Sequence, residues 1–123
     1  MNRVLVERAA DGAPLWSVEV ARSWFARLRG LIGRSSLPDG EGLYFPGTNS
    51  IHMLFMRFPI DCVFLSNADA SGGQQVVAVK PNLRPWTGVV WWVRGARAAL
   101  ELPAGSAEQV GVRVGDSLRL VTG

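Results

Sequence analysis

The 123 residues contain only one cysteine, one histidine, one lysine and one tyrosine. A lone Cys62 excludes an internal disulfide framework, and a lone His52 excludes metal sites built on two or more histidines. The longest apolar run, Val89 to Val93, has five residues, against the roughly 20 that a spanning helix needs. The opening Met1-Asn2-Arg3-Val4-Leu5-Val6-Glu7 reads as a charged-ended strand, not as a secretory signal with its longer apolar region. These absences lead to the expectation of a cytoplasmic protein without a transmembrane segment. Catalytic templates are missing too. There is no Gly-x-Ser-x-Gly elbow, and the sole lysine, Lys80, precedes Pro81 in place of a phosphate-loop Ser or Thr. Gly40-Glu41-Gly42 begins like a dinucleotide fingerprint, but Phe45 stands at the third glycine position and a strand follows where a helix is required. No cofactor and no metal are expected.

What is present describes one folded domain over 1–123. Apolar residues make up 48% and charged residues 19%, enough for a core and too few charges for disorder. The net charge of +3 is carried almost wholly by arginine. Arg22, Arg27, Arg29 and Arg34 share an acid-free stretch, as do Lys80, Arg84, Arg94 and Arg97. They read first as solvated faces; a nucleic-acid footprint is the alternative.

Along the chain, Arg3 to Arg8 and Leu15 to Val20 flank Asp11-Gly12-Ala13-Pro14 and form an opening hairpin. Ala21, Trp24, Phe25, Leu28, Leu31 and Ile32 then recur at helical spacing, which predicts a short helix over Ser23 to Leu31. Gly42 to Phe45 is a strand. Ser50 to Met56 and Ile60 to Ser66 read as a second hairpin around Arg57-Phe58-Pro59, followed by a polar surface turn over Asn67 to Gly73. Further strands are expected at Gln75 to Lys80, Val89 to Arg94, Arg97 to Leu102 and Leu118 to Val121, with a helical turn after Pro103 that stops at Gly111. The fold class is therefore mainly β, a β-rich α+β domain: a compact barrel or sandwich with one or two short helices.

Several blocks in this order resemble the domain of unknown function 192 family of small prokaryotic proteins. They are Arg29-Gly30-Leu31-Ile32-Gly33-Arg34, Gly40-Glu41-Gly42-Leu43-Tyr44-Phe45, Ile51-His52 and Phe55-Met56-Arg57-Phe58-Pro59-Ile60-Asp61. Asn82-Leu83-Arg84-Pro85-Trp86, Leu100-Glu101-Leu102-Pro103-Ala104-Gly105 and Val114-Gly115-Asp116 complete the set. The resemblance implies a small, mostly β fold and no established activity. This chain is expected to depart from the family in carrying no N-terminal export or membrane segment. It also carries Cys62 where a plain aliphatic is usual, and a longer turn over Ser66 to Gln75.

The residues able to do chemistry are few. Period two places Cys62 with Ile60 and Phe64 on a core face, which makes it a buried, inert thiol. Asp61 and Glu101 are carboxylates inside apolar strands, where burial costs several kcal/mol unless a partner is present. A three-residue hairpin loop would set Arg57 opposite Asp61 as an ion pair; a four-residue loop would set Met56 there, with Leu54 and His52 along the same face. His52 reads as either an inert core-edge imidazole or a pocket group. Trp86, beside Arg84 and Pro85, either stacks on a ligand or packs over arginine stems.

The leading expectation is a non-enzymatic binding or accessory module. Its polar pocket, formed from Asn49, His52, Arg57, Asp61, Trp86 and Glu101, would accept a small ligand or a partner peptide. A hydrolase- or lyase-type enzyme using His52, Asp61 and Glu101 as acid-base groups is the alternative, with weak single-stranded nucleic-acid binding as a third reading.

Overall fold

A computed structural model describes residues 3–21, 36–53, 57–90 and 92–121, apart from the side chain of His52. The opening hairpin forms as the turn chemistry requires. Strand β1 (Arg3–Arg8) pairs with β2 (Pro14–Val20), Val4 opposite Val18 and Val6 opposite Trp16. Between them Gly12 adopts φ 72, a left-handed conformation open to glycine, and Asp11 Oδ1 accepts the Ala13 amide at 3.0 Å.

The remaining elements are β3 (Glu41–Pro46), β4 (Ile51–His52), β5 (Ile60–Leu65), β6 (Gly73–Leu83), β7 (Val89–Val90), β8 (Ala98–Pro103), α1 (Ser106–Val110) and β9 (Ser117–Val121). Seven strands join in the order β1-β2-β3-β8-β5-β6-β9, and β9 returns to β1, so the sheet closes on itself. The ring is uneven: β6 meets β9 over three register pairs and β1 meets β9 over four. All pairings within it are antiparallel except β2 with β3. The mainly β expectation holds. Of the expected helices, the turn after Pro103 is present as α1, ended by Gly111 at φ 72. The helix expected over Ser23 to Leu31 lies outside the described residues. No helix among the described residues is long and apolar enough to cross a membrane.

Two packed layers follow from strand alternation. One cluster draws on all seven ring strands, with Val6, Val18, Tyr44, Val63, Val76, Leu100 and Leu118 among its members, and so fills the interior. Leu43, Phe45, Ile60, Cys62, Phe64 and Ala99 point the other way, off the outer face of β3, β8 and β5. They are buried as well. Every residue of β5 is buried, which explains its unbroken apolar run.

A two-stranded flap of β4 and β7 covers that outer face. Ile51 packs against both outer clusters, Met53 joins one, and Val90 and Val93 join the other. This corrects the expected hairpin between Ser50 to Met56 and Ile60 to Ser66. Both edges of β5 are already occupied, by β6 and β8, so β4 pairs with β7 instead: Ile51 opposite Val90, His52 opposite Val89. Backbone bonds extend the flap, with Val93 N donating to Asn49 O at 2.7 Å, Met53 N to Gly88 O at 2.8 Å and Trp86 N to Met53 O at 2.8 Å. Gly88 permits this closeness, because a Cβ there would lie 2.7 Å from the Arg84 carbonyl and 2.8 Å from Met53 Cγ. The strand expected over Val89 to Arg94 is cut to Val89–Val90, and the one expected from Gln75 to Lys80 lengthens to Gly73–Leu83. The polar turn before β6 is tied by Asp69, whose Oδ1 accepts from the Ser71 amide, the Ser71 hydroxyl and the Gly73 amide.

Candidate functional site

The two strand carboxylates part company. Asp61 pairs across β5 and β8 with Leu102, an interior residue, whereas Glu101 pairs with Cys62 and Leu43, both on the outer face. Cross-strand partners share a face, so Asp61 points into the ring and Glu101 points out of it. They do not meet in one cleft.

Asp61 is 1% exposed, and its charge is answered by main chain. Its Oδ1 accepts from Asn82 N at 2.9 Å and its Oδ2 from Ala107 N at 3.0 Å. Ala107 lies in the first turn of α1, whose N-cap Gly105 offers no side-chain cap, so Asp61 supplies the missing acceptor from strand β5. Asn82 adopts φ 51, which turns its amide out of the β6 ladder. The Arg57–Asp61 pair raised by the hairpin reading is absent among the described residues. Arg57 is exposed and Asp61 is turned inward, because β4 is not its neighbour.

Glu101 stands in a row of four neighbours across the outer face: Leu43, Glu101, Cys62 and Lys80, on β3, β8, β5 and β6. It is partly buried, and among the described residues no hydrogen bond or ion pair reaches its carboxylate. Loss of solvation pushes the carboxyl up to about 8. Cys62 is fully buried beside it, and its thiol is pushed well up, first by burial and then by the neighbouring Glu101 and Asp61 charges. A thiol so placed is a poor nucleophile. In the native state Cys62 should therefore react with a disulfide reagent roughly a hundredfold more slowly than in urea. Equal rates in the two conditions would return it to the list of reactive groups.

The other expected pocket residues divide. Asn49 is half-buried, and its carbonyl fastens the flap through Val93. Trp86 sits in the flap turn at φ 66, and 52% of it is exposed. The backbone of His52 pairs with Val89 on the flap; its side chain lies outside the described residues. Trp91 also lies outside them. Sequence reasoning did not single out the buried Tyr44 and Gln74, joined by a 3.0 Å hydrogen bond from Gln74 Nε2 to the Tyr44 hydroxyl. A tyrosine in an alternating strand was the available signal. Gln74 Nε2 also donates to Ser66 O, so this pair is satisfied within the wall.

Four of the blocks that carried the family resemblance meet in pairs: the block ending in Asp61 bonds the one starting at Asn82, and the β3 and β8 blocks pair directly. The model of the DUF192 family, described as "Uncharacterized ACR", matches residues 6–120. The chain belongs to the DUF192 family. A relative among curated proteins, a "UPF0127 protein" from Thermococcus sibiricus, is 30% identical over 105 residues. That match takes in 82% of this chain and 64% of the relative, so the chain spans less than two thirds of that protein's length. Among solved structures, a "putative transcription regulator" from Sinorhizobium meliloti is similar at TM-score 0.78 and 26% identity, covering 96% of this chain and 92% of the other. A protein of unknown function from Novosphingobium aromaticivorans shares the fold at TM-score 0.74 and 23% identity, over 95% of this chain and 83% of its own.

Proposed function

We propose that this DUF192 chain is a non-enzymatic binding module whose site is the outer sheet face at Glu101, roofed by the β4–β7 flap. One observation carries the reading. A carboxyl with no hydrogen bond or ion pair among the described residues is held between Leu43 and Cys62 on a largely apolar face, with the exposed Lys80 next in the row beyond Cys62. Such a group costs stability, and a ligand offering it a hydrogen-bond donor or a positive charge recovers that cost. The recipient chemistry is a small molecule or peptide end bearing an amine or amide on an apolar body. The flap supplies the means of entry, since it rests on the sheet through a few side chains and two very short strands.

Acid-base catalysis by His52, Asp61 and Glu101 together is the weaker reading, because Asp61 and Glu101 lie on opposite faces and both Asp61 oxygens are committed to backbone amides. The test is a thermal-shift screen of primary amines, amides and short peptides against wild type and Glu101→Gln at pH 7. Stabilisation of wild type by one of these probes, lost in Glu101→Gln, is the expected outcome. A probe that stabilises both proteins equally, or no stabilisation by any of them, would defeat the proposal.

A further inference from the structure

The charges of the molecule are sorted by side. Each of the four ion pairs among the described residues has one member on β1: Arg3 with Glu19 and Glu41, Arg8 with Asp11, Arg119 with Glu7. On the flap side Arg57, Lys80, Arg84, Arg94 and Arg97 are exposed, and none of them forms an ion pair among the described residues. Between Lys80 and Arg97 the chain has no acid at all. The strand carboxylates are Asp61, which faces inward, and Glu101, which is partly buried on the outer sheet face.

Three of the four large exposed apolar side chains among the described residues sit on the same flap, the other being Val114 between α1 and β9. Trp86 is 52% exposed, Val89 41% and Trp92 68%. Both tryptophans have positive φ, 66 for Trp86 and 33 for Trp92, a region that bulky residues occupy only when their surroundings hold them there. The Trp86 amide is fixed to Met53 O, and the Val93 amide, next to Trp92, is fixed to Asn49 O. The flap therefore spends backbone strain to present indole rings outward beside arginines.

From this pairing we infer that the flap is an interaction surface for single-stranded nucleic acid. Bases stack on Trp92 and Trp86, while Arg84 and Arg94 meet the phosphates. Stacking favours this partner over an acidic peptide, because every base has a π-face to place on an indole and a run of carboxylates has none. The inference is independent of the Glu101 site and rests on different residues.

The experiment is a fluorescence titration of the full chain with oligothymidylate of twelve bases at 50 mM and 200 mM salt, with a glutamate-rich peptide as comparison. Quenching of tryptophan emission is expected, with affinity falling as salt rises along a log–log slope of about −1.4, as for two phosphate contacts on a single strand. Trp92→Ala should weaken binding roughly tenfold, the usual scale for one stacked base. Arg94→Ala should make the salt slope shallower by about 0.7. Both residues are exposed, so neither replacement disturbs the core. No quenching at 50 mM salt would overturn the inference. So would an unchanged affinity in Trp92→Ala, or a peptide that binds as tightly as the oligonucleotide.

Discussion

Glu101→Gln should make the protein more stable at pH 9 and almost no different at pH 5. Folding raises the Glu101 carboxyl from 4.5 to about 8, so between those values the native state binds a proton that the unfolded chain has released. Stability of the wild type therefore falls as pH climbs through this window, and the whole penalty is in place above about pH 8. A shift of that size corresponds to a penalty on the order of 5 kcal/mol. The glutamine amide has no charge to desolvate, but it brings a buried –NH₂ group without a partner, which takes back roughly 1–2 kcal/mol. The net gain at pH 9 is about 3–4 kcal/mol, several degrees in Tm for a domain of this size. Urea unfolding of both proteins at pH 5, 7 and 9 measures it. Parallel pH profiles, or a variant weaker than wild type at pH 9, would show that Glu101 has found a partner and is part of the scaffold. A gain would mean that the chain gives up stability to keep a carboxyl on an apolar face, the trade expected where a group serves binding.

Local chemistry made part of this arrangement legible. Asp11-Gly12 announced the first hairpin, Gly111 the end of α1, and the alternation about Cys62 its burial. The pairing of β2 with β3, a parallel ladder across a long connection, had no local signature. The flap was misread for a related reason. Pro59 lies between two apolar runs just as a hairpin turn would, and only knowledge that β6 and β8 occupy both edges of β5 removes β4 from that place. The same ignorance hid the sidedness of the site. Period two separates Asp61 from Cys62, but with β5 buried on both faces neither direction reads as outward. Which carboxylate is answered by backbone and which is left bare depends on cross-strand partners 40 residues away in sequence, as in the pairing of Asp61 with Leu102 and of Cys62 with Glu101.

Asp61 should behave in the opposite sense. Its two oxygens accept from Asn82 N and Ala107 N, so the carboxylate joins the end of β6 to the start of α1. Asp61→Ala leaves two backbone donors without partners, one of them fully buried, and should cost about 3–5 kcal/mol. Asp61→Asn keeps one acceptor but turns an –NH₂ toward the other amide, so a loss of roughly 2–4 kcal/mol is expected. Arg57→Ala, on an exposed side chain, should change stability by less than about 0.5 kcal/mol. In a double-mutant cycle the Arg57–Asp61 coupling should be close to zero. Amide exchange supplies a local readout: in Asp61→Asn the Asn82 and Ala107 amides should lose protection before the rest of the ring does. A coupling above about 1 kcal/mol would restore the ion pair that the hairpin reading suggested. A harmless Asp61→Asn would remove the structural role altogether. With Glu101→Gln gaining stability and Asp61→Asn losing it, two carboxylates in neighbouring strands would be separated by experiment as they are by the sheet, one holding the fold and the other facing its ligand.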